Sequence, residues 1–150
     1  MTSSLTVAPV AKTNTLLDSV FDVRVYYEDT DAGGVVFYAN YLKFFERART
    51  EMFRALGVVQ SELAQTTGCI FVVKALDMDY RRPARLDDLL RIHTRITKIG
   101  AASLDFAQHA TCNGELLSSG TIKVCAIDAK LFKPTELPSA IRAQLKASQE

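Results

Sequence analysis

The chain lacks tryptophan, and its 150 residues include only three cysteines. Cys69, Cys112 and Cys125 are odd in number and show no CxxC or Cys/His spacing, so neither a disulfide scaffold nor a zinc site is supported. We expect free thiols in a reducing compartment. GxGxxG, P-loop, GxSxG and HExxH sequences are also absent, which disfavours dinucleotide-binding, Walker-type, serine-hydrolase and zincin functions. We therefore expect no metal and no cofactor.

Neither sign of charge is in excess, since 18 Lys and Arg balance 17 Asp and Glu to a net charge of +1. This balance gives no overall attraction to nucleic acid or to an anionic membrane, so any anion site must be local. No apolar run reaches the 18 residues of a membrane span, and residues 1–20 lack the apolar core of a signal peptide. We expect a cytoplasmic protein with a flexible tail over residues 1–20 and one domain over residues 21–150.

Hydrophobic periodicity predicts an α+β domain. A strand is expected over residues 21–27, and an amphipathic helix from about Phe37 to Leu56, which Gly57 would terminate. After a short helix at residues 61–66, apolar and polar residues alternate through four strands, and Asn113-Gly114 is a strong hairpin signal. Half-buried strands need an apolar cover, and the long helix can supply it. We expect an antiparallel sheet wrapped around that helix, with a closing helix near residues 138–146.

One residue of the long helix breaks its amphipathic pattern. Arg49 falls on the apolar arc, between Leu56 and Leu42 in helical projection. A buried guanidinium needs a polar partner, because an unpaired buried charge is very costly. The pattern leaves two candidates open: Glu46, one turn earlier, and a residue of a second subunit across a dimer interface.

The most informative segment runs from Tyr26 to Glu51, where two carboxylates lead through a Gly-Gly turn into the long helix. The first turn of a helix has free backbone N–H groups and the positive end of the helix dipole, which together favour a developing oxyanion. This junction can therefore form an active site. Asp29 and Asp31 could also serve only as turn residues, since aspartate is favoured there.

The same segment resembles a known family. Residues 29–36 (DTDAGGVV), Asn40-Tyr41 and residues 45–51 (FERARTE) are similar to the signature of the 4-hydroxybenzoyl-CoA thioesterase family, and most similar to its branch of acyl-CoA thioesterases associated with the Tol-Pal system. The similarity extends from about Val23 to Leu145. It implies the hotdog fold, in which a five-stranded antiparallel sheet wraps around one long central helix, and assembly into a homodimer or homotetramer.

The resemblance also implies roles for individual residues. Asp31 would act as nucleophile or general base, and the backbone N–H of Tyr38 would polarise the thioester carbonyl. Close relatives usually have histidine where this chain has Tyr38, so we expect a different substrate choice and pH profile, because tyrosine normally titrates near 10. We further expect Gly34, Val35 and Tyr41 to contact the substrate.

Basic residues are frequent between Arg81 and Lys98, and Arg82 and Arg85 are our candidates for contact with the phosphates of CoA. The alternative is an ordinary solvated strand face. His93 and His109 fall on the polar side of their strands, so we expect them at the surface or in an interface.

The expected function is hydrolysis of an acyl-CoA to the free acid and CoA. Two alternatives remain open. One is a hotdog protein that binds acyl-CoA or acyl carrier protein and acts through partners, and the other is an acyl-ACP thioesterase. Asp31 and the Gly-Gly turn favour an enzyme.

Overall fold

The computed structural model describes residues 18–149, with side chains described through Ala147. A 3-10 turn at Tyr27–Asp29 follows the first strand. The helices and strands, in chain order, are β1 (Asp18–Arg24), α1 (Asn40–Ala55), α2 (Gln60–Thr67), β2 (Cys69–Tyr80), β3 (Leu89–Ile99), β4 (Ser103–Cys112), β5 (Glu115–Asp128) and α3 (Ser139–Gln149). None of the described helices is long and apolar enough to cross a membrane.

The five strands form one sheet in the order β1-β3-β4-β5-β2, and every neighbouring pair is antiparallel. Helix α1 packs its apolar side on one face of this sheet, and its residues Phe44, Phe45 and Ala48 are fully buried. The predicted α+β class and the predicted hotdog arrangement of a five-stranded antiparallel sheet around one long helix are confirmed.

Aromatic side chains pack α1 against the central strand and the β2 edge of the sheet. The ring of Phe53 stacks on Phe71 of β2 at 5.2 Å and meets Phe106 of β4 edge-on at 6.0 Å. A fully buried phenylalanine contributes about 1.5–3 kcal/mol through burial, and such ring pairs add about 0.5–1.5 kcal/mol. This packing fixes α1 on the sheet and so fixes the position of its N-terminus.

Several predicted element boundaries differ from the structure, and the first strand ends at Arg24 rather than Tyr27, because Tyr27 already belongs to the 3-10 turn. Helix α1 begins at Asn40 rather than Phe37, because the N–H of Phe37 donates to the carbonyl of Asp29 (3.1 Å) and residues 37–39 form a turn. Strand β1 begins at Asp18, so residues 18–20 pair with β3 rather than belonging to the predicted tail. The remainder of that tail, residues 1–17, lies outside the described residues. Gly57 follows α1 with φ +88°, as its predicted role as terminator requires.

Arg49 is buried as predicted, at 8% exposure, and within the chain it binds Gln108 rather than Glu46; a partner in a second subunit stays a prediction. Its Nη1 donates to Oε1 of Gln108 on β4 (2.9 Å), and its guanidinium lies 5.9 Å from the ring centre of Phe106. Glu46 is exposed and accepts a hydrogen bond from the Thr50 hydroxyl instead. The helix points Arg49 at the sheet and Glu46 at solvent, which prevents the predicted pairing.

Strand β2 is an edge of the sheet, and it leaves apolar side chains uncovered. Val73, Leu76 and Tyr80 are 46%, 46% and 41% exposed. Their cross-strand partners on β5 are buried, so these three side chains extend the buried face of the sheet to its edge. An uncovered apolar edge strand is a template for pairing with another chain.

Candidate active site

The acidic turn is a short hairpin. The N–H of Asp31 donates to the carbonyl of Val35 (2.9 Å), and the N–H of Phe37 donates to the carbonyl of Asp29 (3.1 Å). Gly34 closes the turn with φ +81°, a conformation that glycine adopts without the steric cost of a side chain. Asp31 therefore lies at the tip of this hairpin, and Tyr38 lies just beyond its base.

The Asp31 carboxylate is exposed and only half engaged. Its Oδ1 accepts a hydrogen bond from the N–H of Gly33 (2.8 Å), whereas Oδ2 accepts none from the described residues. A Cβ at Gly33 would lie 3.3 Å from Oδ1, so glycine lets the carboxylate fold back on the turn without crowding. The arrangement fixes one oxygen and leaves the other free to meet a water molecule or a carbonyl carbon.

Asp29 has a different environment, although it is only two residues away. It is buried, its Oδ2 accepts from the N–H of Tyr26, and its Oδ1 accepts from Nδ2 of Asn40, both at 2.8 Å. Both oxygens are therefore occupied by protein donors. The structural role considered for the two aspartates fits Asp29, whereas Asp31 has a free oxygen for chemistry.

Tyr38 lies in the turn before α1, and its main-chain N–H donates to no group among residues 18–149. The side chain is 63% exposed, and its ring lies 4.8 Å from Phe37 and 6.1 Å from Tyr80. This N–H is one residue before the N-cap, rather than in the first turn of the helix as predicted. It is nevertheless an available donor near the positive end of the helix dipole.

A pocket of about 240 Å³ opens beside Tyr38. Three tyrosine rings converge there, and the rings of Tyr41 and Tyr80 are 5.6 Å apart. Burial raises the pKa of Tyr41 and of Tyr80, so both phenols are protonated near neutral pH and can donate hydrogen bonds. The lining residues are Val36, Tyr38, Tyr41, Tyr80, Arg81, Arg82 and Pro83.

The structure brings only some of the predicted site residues to this pocket. Tyr38, Tyr41 and Arg82 line it, whereas Asp31 and Arg85 do not line it in the single chain. The other two, Gly34 and Val35, belong to the hairpin, and Val35 forms a β-bridge with Arg85. The Arg85 side chain is exposed, and the main-chain N–H of Arg85 donates to Oδ2 of Asp88 (2.9 Å). Arg82 is also exposed, and its Nη1 forms an ion pair with Oε2 of Glu115 at 3.4 Å.

Sequence reasoning missed Val36, Tyr80, Arg81 and Pro83 as lining residues. The alternation of Leu76, Met78 and Tyr80 did predict that these side chains share one sheet face. That signal places Tyr80 beside α1 only when the pairing of β2 with β5 is known, and Tyr80 pairs with the buried Ser118.

His93 and His109 lie away from this pocket, directly opposite each other on β3 and β4. Their rings stack with centroids 4.3 Å apart and planes at 12°. Burial, together with the neighbouring His109 and Arg91, lowers the pKa of His93 to about 4. Burial also lowers the pKa of His109. Both imidazoles are therefore neutral at pH 7.

Over the described range 18–149, no His, Cys, Asp and Glu side chains form a group suited to a metal ion.

Comparison with known proteins gives consistent matches. A family model described as the thioesterase-like superfamily matches residues 25–145. The chain is 47% identical over 123 residues to the acyl-CoA thioesterase YbgC of Haemophilus influenzae, covering 82% of this chain and 90% of that protein. It is 46% identical over 125 residues to the acyl-CoA thioester hydrolase YbgC of Escherichia coli O6:H1, covering 83% and 92%. A crystal structure of a probable thioesterase from Bartonella henselae superposes with a TM-score of 0.76 at 36% identity, covering 81% of this chain and 99% of that one.

Proposed function

Because this chain belongs to the thioesterase-like superfamily, we propose that it hydrolyses an acyl-CoA to the free acid and CoA. One observation carries the proposal: the same short hairpin carries a half-engaged carboxylate, Asp31, at its tip and is followed at its base by an unpaired main-chain N–H, that of Tyr38. A carboxylate can attack a thioester or activate water, and an N–H can stabilise the oxyanion that forms. The relatives named as acyl-CoA thioesterases support the choice of substrate class.

In this proposal, the free oxygen of Asp31 acts on the thioester carbonyl by one of two routes. As a nucleophile it forms a mixed anhydride and expels the CoA thiolate, and water then hydrolyses the anhydride to the free acid. As a general base it takes a proton from water, the hydroxide adds to the carbonyl, and the CoA thiolate leaves and is protonated. In both routes the N–H of Tyr38 binds the carbonyl oxygen, and one such donor contributes about 3 kcal/mol to the transition state.

The pocket would hold the part of the substrate next to the thioester. The neutral hydroxyls of Tyr41 and Tyr80 can donate hydrogen bonds to it, and the rings can pack on its carbon chain. Arg82 lines the pocket and Arg85 pairs with Val35 of the hairpin; both are exposed and would attract the phosphates of CoA. Gly34 and Val35 would contact the substrate through the hairpin backbone.

We also propose a homodimer that pairs through the β2 edge, with a homotetramer as a further assembly. Two observations support it: the uncovered apolar side chains of Val73, Leu76 and Tyr80, and the absence of Asp31 from the pocket lining of the single chain. Antiparallel pairing of two β2 strands would cover the apolar edge and bring a second chain beside each pocket. Light scattering at low micromolar concentration should show no monomer, and Leu76→Glu should shift the protein toward monomer. A stable and active monomer would contradict this assembly.

The decisive test of the function is Asp31→Asn, assayed on a panel of acyl-CoA and acyl-ACP thioesters. We expect kcat to fall at least about a hundredfold while the fold and the oligomer are retained. Glu28→Gln is the matched control, since it neutralises an exposed carboxylate of the same segment. Turnover of Asp31→Asn within threefold of the parent would refute the assignment. If the parent protein itself binds these thioesters but does not hydrolyse them, the alternative of an acyl-CoA or acyl carrier protein binding module is favoured.

A further inference from the structure

Asp29 and Asn40 form a buried polar contact beside the candidate active site. They are 6% and 7% exposed, and Nδ2 of Asn40 donates to Oδ1 of Asp29 at 2.8 Å. Oδ2 of Asp29 accepts from the N–H of Tyr26, also at 2.8 Å. A carboxylate can accept both bonds at once because it presents two acceptor oxygens, and burial excludes water as a substitute.

This contact is one of two hydrogen bonds that tie the residues on either side of Tyr38 to Asp29. On one side of Tyr38, the N–H of Phe37 donates to the main-chain carbonyl of Asp29 (3.1 Å). On the other side, Asn40 reaches the side chain of the same residue, and Asn40 is the first residue of α1. The peptide group of Tyr38 therefore lies between two hydrogen bonds that end on Asp29. No side-chain cap of its own fixes the start of α1.

We propose that Asp29 is a positioning residue for thioester hydrolysis, and this inference rests on the proposed function. Through Asn40 and Phe37 it sets the orientation of the Tyr38 N–H relative to Asp31, which lies two residues along the same hairpin. Catalytic geometry is sensitive to such placement, because a displacement of about 1 Å can lower a rate about a hundredfold. Asp29 itself has no free oxygen with which to touch the substrate.

The test compares Asp29→Ala, Asn40→Ala and the double variant with the parent on its best acyl-CoA. Each single variant should lower kcat by tenfold or more and leave KM within twofold, because the pocket walls are unchanged while the N–H donor is displaced. The double variant should be no slower than the slower single variant, since both substitutions break the same contact. Thr30→Ala is the matched control, because it removes the bond from the Thr30 hydroxyl to the Tyr27 carbonyl in the same turn and should keep kcat.

An exchanged pair gives a second test. In Asp29→Asn/Asn40→Asp, the amide at position 29 can accept from the Tyr26 N–H and donate to the carboxylate at position 40, so kcat should recover to within fivefold of the parent. Circular dichroism and thermal unfolding show whether each variant is folded. A kcat of Asp29→Ala within threefold of the parent, or additive losses in the double variant, would overturn the inference even if Asp31→Asn is inactive. A parent without activity on any thioester would overturn the proposed function and this inference with it.

Discussion

Replacement of Gln108 by leucine should destabilise the fold by about 3–5 kcal/mol, because it leaves the buried guanidinium of Arg49 without an acceptor. Gln108 is 1% exposed and makes three hydrogen bonds. Its Oε1 accepts from Arg49 at 2.9 Å, and its Nε2 donates to the Thr94 hydroxyl at 2.8 Å and to the Phe45 carbonyl at 3.0 Å. This one side chain thus connects α1 to β3 and β4.

The magnitude follows from these three bonds. A hydrogen bond to a charged group contributes about 1.5–3 kcal/mol, and a neutral one about 1 kcal/mol. Leucine has nearly the volume of glutamine, so no large cavity offsets or adds to the loss. The matched variant is Arg49→Met/Gln108→Leu, which removes the charge together with its acceptor. Because apolar replacement of a whole buried polar pair is often neutral, the double variant should recover the share of the loss that belongs to the Arg49 bond, about 1.5–3 kcal/mol, while the bonds to Thr94 and Phe45 stay lost.

Urea unfolding at one fixed protein concentration measures the effect, since stability of an oligomer depends on concentration. For a chain of this size, the single variant should lower Tm by roughly 6–20 °C. A loss under about 1 kcal/mol for Gln108→Leu would refute the reasoning. A double variant as unstable as the sum of its single variants would also refute it, because the two residues would then act independently.

Three further predictions concern single positions. Tyr38→Phe should keep kcat within about threefold, because the main-chain donor and the ring volume persist, and abolished turnover in a folded variant would instead assign a role to the phenol. The folded pKa of His93, about 4, lies below its ordinary 6.5, so the unfolded chain binds the proton first as the pH falls. Stability should therefore decrease between about pH 6.5 and 4 by roughly 1–2 kcal/mol after solvent screening, and pH-dependent unfolding of His93→Gln should show a smaller decrease, the remainder coming from the lowered pKa of His109. Gly120→Ala should cost about 1–3 kcal/mol in the same unfolding assay, because its Cβ would lie 2.8 Å from the carbonyl of Asp77 and still closer to the Met78 sulfur. An unchanged midpoint would show that β2 can move away from β5.

Local patterns in the sequence were sufficient for the elements of the fold. The period of the apolar residues in α1 and the alternation in the strands depend only on neighbouring positions, so they can be read without knowing the pairing. The hairpin that presents Asp31 is local in the same sense, since its Gly-Gly turn and its two aspartates lie within six residues. The sequence also indicated that Arg49 would be buried, because helical geometry alone places it on the apolar arc.

The tertiary structure decided which residues meet. The partner of Arg49 is Gln108, 59 positions away, and no local rule connects them. The pocket joins residues 36–41 to residues 80–83 through the pairing of β2 with β5, and a shift of one residue in that register would turn Tyr80 to the opposite face. The different environments of Asp29 and Asp31 also depend on the fold, because the donor that occupies Asp29 comes from the start of α1. A sequence pattern records which face each side chain prefers, whereas burial, register and hydrogen-bond partners arise only when distant segments pack together.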